Sequence, residues 1–310
     1  MDGTTICGFS FGRNLSNLKY PVEASVRSVL PACDRFVFAV GASDDDTRRR
    51  VESIAAVPGR SGRPVHVEIV DTTWPQVYDN GEVLAIEANK ALDAAEATGC
   101  TWGFYIQADE VIHEDDLAAV VAAAEHWQDD AQVKALLFHY LHFVMDYGTT
   151  DPWMYHKASR VLRLDGSCRI VGDACGPAFT SYEGPANKGN GYLDKHHMGG
   201  HVRWAADPAT RRRARVFHYG WVKTRQDLKS KMGMVQRLWW GSLQCSDGEQ
   251  RGRAKLGRLV SRYPILKKYR GTHPAVMADH VKRHEPFARV VSRWLNPHFY
   301  REVLAHGFHG

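Results

Sequence analysis

The stretch Trp102-Gly103-Phe104-Tyr105-Ile106-Gln107-Ala108-Asp109-Glu110 decides the fold. An apolar run of strand length enters a short polar turn and ends on two carboxylates, the pattern of a buried strand whose carboxyl end meets water. Just upstream, residues 82–97 are rich in Ala, Leu and Glu and read as a helix. Before it, 65–70 reads as a strand ending on Asp71, and 45–55 as a helix with acidic residues at its start. Strands over 35–40 and 4–9 flank a helix over 21–30, where Val22, Val26, Val29 and Leu30 recur at helical spacing and Pro21 suits the first turn. The order β-α-β-α-β-α-β predicts an α/β fold, a Rossmann-like and mostly parallel central sheet flanked by helices. In such sheets ligands lie beyond the carboxyl ends of the strands. The four predicted strand ends, 10–14, 41–46, 71–74 and 107–110, are all polar or acidic.

Downstream, 114–127 reads as a helix and 134–143 as a strand, whereas 146–153 and 180–200 are loop-like. A late strand spans 216–222, followed by a helix over 224–240. The composition shifts near residue 145. The expected organisation is a regular part over 1–145, a less regular part of the same domain over 146–225, and a basic helical extension over 226–310, so that an elaborated C-terminal half and helical tail follow the regular sheet.

The 310 residues, 44% hydrophobic and 24% charged, fit a soluble domain that needs no disulfide or zinc staple. Six cysteines lie far apart without a CxxC pair, as expected of reduced thiols. No run is long enough to span a bilayer, and residues 1–5 lack the basic start of a signal peptide, so the expected compartment is the cytoplasm. The net charge of +5 is concentrated at Arg211, Arg212, Arg213, Arg215 and over 251–301. That asymmetry suits peripheral contact with the inner face of a membrane or a phosphate-bearing substrate, and equally a solvated face.

Two carboxylates at a rigid strand end suit a hard divalent cation, Mg²⁺ or Mn²⁺, that bridges to nucleotide phosphates; an acidic pair also opens helices. From this point the chain resembles family 2 glycosyltransferases of the GT-A fold, in which a strand of the form I-x-x-L-D-A-D-D/E carries the metal-binding DxD motif. Ala88-Asn89-Lys90-Ala91-Leu92, with Thr98-Gly99, Trp102 and Tyr105-Ile106, is similar to the family's segment leading into that motif. Phe38-Ala39-Val40-Gly41 through Thr47 resembles its V-V-D-x-S-x-D-x-T turn, and Phe217-His218-Tyr219-Gly220-Trp221 its HYG(W/Y) strand. Gln107 replaces the first Asp of DxD, and Gly41 an Asp that commonly recognises the base.

The resemblance implies an inverting transfer from a UDP- or GDP-sugar to a carbohydrate, lipid-linked or small-molecule acceptor, with Mn²⁺ or Mg²⁺ as cofactor and no nucleic acid as partner. Residues 1–145 would then be the donor-binding part and 146–225 the acceptor-side and catalytic part. Asp109 would hold the metal, with Glu110 and His218 as further ligands. Arg13, Ser43, Asp45, Asp71, Asn89 and Gln107 fall where the family meets its donor. An inverting transfer needs a base for the acceptor hydroxyl. Asp173, in a glycine-flanked turn after an apolar run, is the first candidate, with Glu183 and Asp194 behind it. His196, His197 and His201 are interrupted by Gly199-Gly200 and do not form a helical zinc face. Competing readings are a nucleotidyltransferase of related fold, a relative that binds a donor without turnover, and a module that binds nucleic acid or anionic membrane through the basic tail.

Overall fold

The computed structural model describes residues 3–75, 81–179, 201–240, 265–284 and 293–308. The first half runs β1 (Ile6–Gly12), α1 (Val22–Val29), β2 (Arg35–Gly41), α2 (Thr47–Glu52), the small hairpin β3 (Val57–Pro58) and β4 (Pro64–Val65), β5 (Val67–Thr72), α3 (Glu82–Ala97) and β6 (Trp102–Tyr105). Strands β5, β2, β1 and β6 are neighbours in that order and all parallel. Residues alternate between the two faces of each strand. Ile6, Phe36, Phe38, Trp102 and Phe104 pack beneath α1 and α4, while Cys7, Phe9, Val37, Ala39 and Tyr105 pack beneath α3. Ala85, Ala88, Ala91, Leu92 and Ala95 form the buried face of α3, and their small side chains let the helix lie close to the sheet. Fully burying each large apolar side chain contributes about 1.5–3 kcal/mol.

The second half continues with β7 (Glu110–Ile112), α4 (Glu114–His126), β8 (Ala135–Val144), β9 (Thr149–Thr150), β10 (Lys157–Arg163), β11 (Cys168–Val171), β12 (Gly176–Phe179), β13 (Val202–Trp204), β14 (Arg215–Trp221), α5 (Arg225–Trp240) and β15 (Lys267–Lys268). Two short helices, Ala278–Arg283 and Pro297–His306, follow. Strand β10 joins β6 to β8, antiparallel to both, and β14 lies parallel to β8 and antiparallel to β7. The mixed α/β sheet is therefore mostly parallel, as expected.

Two features depart from the sequence reading. Residues 146–153 are not wholly loop, because Thr149–Thr150 pairs with Phe143 and with Lys267–Lys268 at the sheet's edge. Strand β10 was not expected at all: Lys157, Ser159, Arg160 and Arg163 give it a surface composition, yet Arg160 is fully buried. Glu183, Asp194, His196 and His197 lie outside the described residues. No helix among the described residues is long and apolar enough to cross a membrane.

Candidate active site

Past β6 the chain makes a tight turn, closed by the Glu110 amide donating to the Gln107 carbonyl at 2.9 Å, which aims Asp109 beyond the strand end. β7 then pairs with β14 so that His218 stands opposite Glu110, and the Tyr219 amide donates to the Asp109 carbonyl at 2.8 Å. This pairing brings His218 Nε2 to 3.3 Å from Asp109 Oδ2. Lys231, from α5, places Nζ 3.9 Å from the same oxygen and donates to the Gly220 carbonyl at 2.8 Å. Only glycine fits at 220: a Cβ there would stand 2.6 Å from His218 Nε2 and overlap Asp109 Oδ2. A second buried lysine, Lys223, donates to the carbonyls of Leu18 and Lys19 and sits 4.8 Å over the Tyr20 ring.

The charges around Asp109 decide its state. Burial alone would raise its pKa, but the charge and hydrogen bond of His218, then Lys231 and Lys223, outweigh that and hold the carboxyl well below the usual range. Burial raises the Tyr20 hydroxyl, with Asp109 beside it adding to the effect. His142, whose Nδ1 lies 3.1 Å from His218 Nδ1, is pushed down by burial and then by His218.

Lys223 is pushed down to about 7, by burial first and then by the charge of Lys231, against the pull of Asp109. An unfolded chain keeps that proton up to about pH 10.4. Between about pH 7 and pH 10 the unfolded state therefore binds more protons, and stability rises with pH across that window. Lys223→Met is expected to flatten this rise. Melting temperatures of the two proteins at pH 7 and pH 9 check it, and parallel curves would contradict it.

Asp109 opens onto a cleft of about 400 Å³ whose walls include Arg13, Tyr20, Trp74, Gln107 and Asp173. Asp173 lies on a turn whose neighbours Gly172 and Ala174 have φ of 61° and 63°, and its Oδ1 is buried with no hydrogen-bond partner. The Gln107 amide and the Tyr105 hydroxyl both donate to the Ala174 carbonyl, at 2.8 and 2.9 Å, and Arg160 donates to the Cys175 carbonyl at 2.8 Å. These bonds fix the turn that carries Asp173 against the cleft. Gln107, in place of an acid, thus spends its amide on the backbone.

The other expected residues are placed as follows. Glu110 is fully buried and held by Nη2 and Nε of Arg160, at 2.5 and 2.8 Å, and by the Tyr140 hydroxyl, so no face of it is open to an ion. Its expected role as a metal ligand gives way to a buried ion pair. Asn89 uses both ends of its amide on the Ile170 backbone, at 2.8 and 2.9 Å, and ties α3 to β11 instead of reaching a donor. Ser43, Asp45 and Asp71 line a separate hollow of about 320 Å³. Ser43 bonds the Gly41 carbonyl and accepts from the Asn14 amide; Asp45 accepts from the amides of Asn17 and Thr47; exposed Asp71 pairs with Arg48. Arg13 stands at the cleft wall, 3.8 Å from Asp44, and its Nε, like the Trp74 Nε1, is buried without a partner.

Asp109 Oδ2 and His218 Nε2 converge as two donors on one ion would, and no third His, Cys, Asp or Glu joins them among the described residues. Such a pair suits Mg²⁺ or Mn²⁺, which keep several ligand places for water and phosphate oxygens. Sequence reasoning missed Tyr20, His142, Arg160, Lys223 and Lys231. Lys231 carried one signal: it sits beside Leu228 and Met232 at helical spacing, on the face that α5 buries.

Fold and cleft together define an α/β protein with an acid-lined cleft at the carboxyl ends of its parallel strands. No protein-family model and no curated protein matches the chain. Among solved structures it is similar to S. aureus TarS, at 10% identity and a TM-score of 0.40, over 83% of this chain and 43% of that one. It thus spans less than half of that chain. It is also similar to TarS 1-349 in complex with UDP-GlcNAc, at 13% identity and a TM-score of 0.36, over 83% and 73% of the two chains. A third similarity is to glucosyl-3-phosphoglycerate synthase from Mycobacterium tuberculosis in complex with Mn²⁺, UDP and glucosyl-3-phosphoglycerate, at 16% identity and a TM-score of 0.33, over 56% and 62%.

Proposed function

We propose that this chain is a glycosyltransferase that moves a sugar from a UDP- or GDP-sugar to an acceptor hydroxyl, with inversion. The observation that carries the reading is the convergence of Asp109 and His218 at a parallel strand end, in a cleft that Asp173 also lines. Asp109 and His218 would hold Mn²⁺ or Mg²⁺, which supplies neutralisation of the charge that develops on the leaving diphosphate. Lys231, buried on the same side, adds positive charge in a low-dielectric setting, where it is worth more than in water, and Lys223 adds its own while it holds its proton. Arg13 and Trp74 line the cleft and would meet the nucleoside.

Asp173 accepts the proton of the acceptor hydroxyl as that oxygen attacks the anomeric carbon. Its buried, unpaired Oδ1 and its rigid turn suit a positioned base. Asp173→Asn is expected to lower transfer on the order of 10²–10⁴-fold while nucleotide affinity stays unchanged. Weakened nucleotide binding with transfer intact would reverse the assignment.

The function itself is tested by incubating the protein with a panel of UDP- and GDP-sugars and Mn²⁺ and following release of the nucleoside diphosphate. Release from at least one donor is expected. A silent panel, with no donor raising the melting temperature, would contradict the reading, because a ligand that binds only the folded state must stabilise it.

A further inference from the structure

The arginine run 211–215 divides in two. Arg212 and Arg215 turn to the fully buried Asp116, each donating Nε to it, at 2.9 and 2.8 Å. Arg211 and Arg213 instead line a hollow of about 350 Å³, together with Arg203, His126 and the indoles of Trp127 and Trp204. Among the described residues neither Arg211 nor Arg213 has a carboxylate partner.

Several features build this hollow for an anion. The Arg213 guanidinium stacks 4.2 Å over Trp204, Lys157 lies 5.5 Å over the same ring, and Arg203 lies 5.1 Å over Trp127. Such stacking sets a guanidinium plane before any ligand arrives. Asp207, the acid in the wall, spends Oδ1 on the amides of Thr210 and Ala209, at 2.7 and 2.8 Å. Arg211, with φ of 61°, holds a left-handed conformation that is costly for a residue with a side chain, in the turn from Asp207 to Arg212 that lines the hollow. The excess of positive charge is felt by His139, whose ring lies 4.5 Å from that of Trp204: burial pushes it down, and Arg213, Lys157, His156 and Arg215 add to this.

Size and walls narrow the ligand. A bare phosphate would leave most of about 350 Å³ to water, whereas one sugar ring with its phosphate would occupy far more of it, between the stacked guanidinium groups and the polar wall. Guanidinium groups recognise the oxygens of a phosphoryl group in bidentate fashion. We propose that the hollow formed by Arg203, Arg211, Arg213, Trp127 and Trp204 binds a phosphorylated saccharide, with its phosphoryl group on the arginines.

The site is apart from the Asp109 cleft and stands without the glycosyl-transfer reading. Trp204 pairs with Leu137, near the start of β8, and His218 with His142, near its end. Five residues along a strand put the two places on the order of 17 Å apart.

Calorimetric titration of the full chain with glucose 6-phosphate, inorganic phosphate and glucose tests the assignment, repeated on Arg211→Ala/Arg213→Ala. Both arginines are exposed, so the variant keeps its fold, which an unchanged melting temperature verifies. Glucose 6-phosphate is expected to bind about tenfold more tightly than phosphate, glucose not to bind, and the variant to lose about tenfold or more in affinity. Equal affinity for phosphate and glucose 6-phosphate would reduce the hollow to a plain anion site and overturn the saccharide assignment. Absence of binding, or binding unchanged in the variant, would overturn the site. Retention on anionic phospholipid vesicles without glucose 6-phosphate binding would assign the same arginines to a lipid headgroup, and would equally overturn it.

Discussion

Asp109→Ala is expected to lower donor turnover on the order of 10³-fold or more, the scale on which loss of a fixed transition-state charge partner acts in a water-poor site. The reason is local. Among the described residues Asp109 is the carboxylate that meets His218, Lys223 and Lys231 together, and these neighbours hold its carboxyl well below the usual range against the effect of burial. Removing it does two things: it takes away one of two converging donor atoms, and it takes a counter-charge from the buried Lys231 ammonium. The second effect costs stability, so the variant must be compared as folded protein at a temperature below its melting point. Asp109→Asn keeps the side-chain volume and removes only the charge, and it should lose nearly as much turnover. If Asn restored turnover, the carboxylate would be a spacer and not a charge partner. A fall in turnover that simply followed the unfolded fraction would also count against the assignment.

Arg160→Met is expected to be the most destabilising change in the sheet. Arg160 and Glu110 are both fully buried, and Arg160 gives Glu110 two hydrogen bonds while also reaching the carbonyls of Ser159 and Cys175. Taking one member of a buried pair leaves a charge stranded in a low-dielectric interior, which costs about 3–5 kcal/mol. For a chain of this size that lowers the melting temperature on the order of 10 °C. Adding Glu110→Leu to Arg160→Met should recover most of the loss, because the pair's net contribution is small even though each half alone is costly. The same experiment separates two roles for Glu110. As a structural partner, Glu110→Gln changes stability and leaves metal affinity per folded molecule as it was; as a metal ligand, it would do the reverse.

These two residues also show where the sequence is readable. Three of the four parallel strands, β1, β2 and β6, were legible because they are buried on both faces and read as apolar runs, with helix-period segments between them; β5, at the sheet's edge, is half-buried to exposed and was legible only from its Val and Ile. The position of Asp109 was legible for the same reason: it follows the last of those runs. Strand β10 was not, because an arginine in a polar run signals surface until its partner is known, and Glu110 lies fifty residues away in sequence. Lys223 and Lys231 were hidden in the same way, since lysines beside a helix normally point to solvent, and only the folded chain turns these two inward. Asn89 matched a pattern and Gln107 departed from one, but the amides of both close bonds to backbone carbonyls that no local signal announces. Local periodicity thus reports burial of apolar residues well, and buried polar pairs hardly at all.

The central claim is that the cleft beside Asp109 takes a nucleoside diphosphate through a divalent ion. Titration of the protein with UDP and with GDP, in the presence of Mn²⁺ and again after chelation, addresses it directly. Binding of one of the two that needs Mn²⁺ and disappears in Asp109→Asn is the predicted result. Binding that is indifferent to Mn²⁺ and to Asp109, or no binding of either nucleotide, would contradict the account.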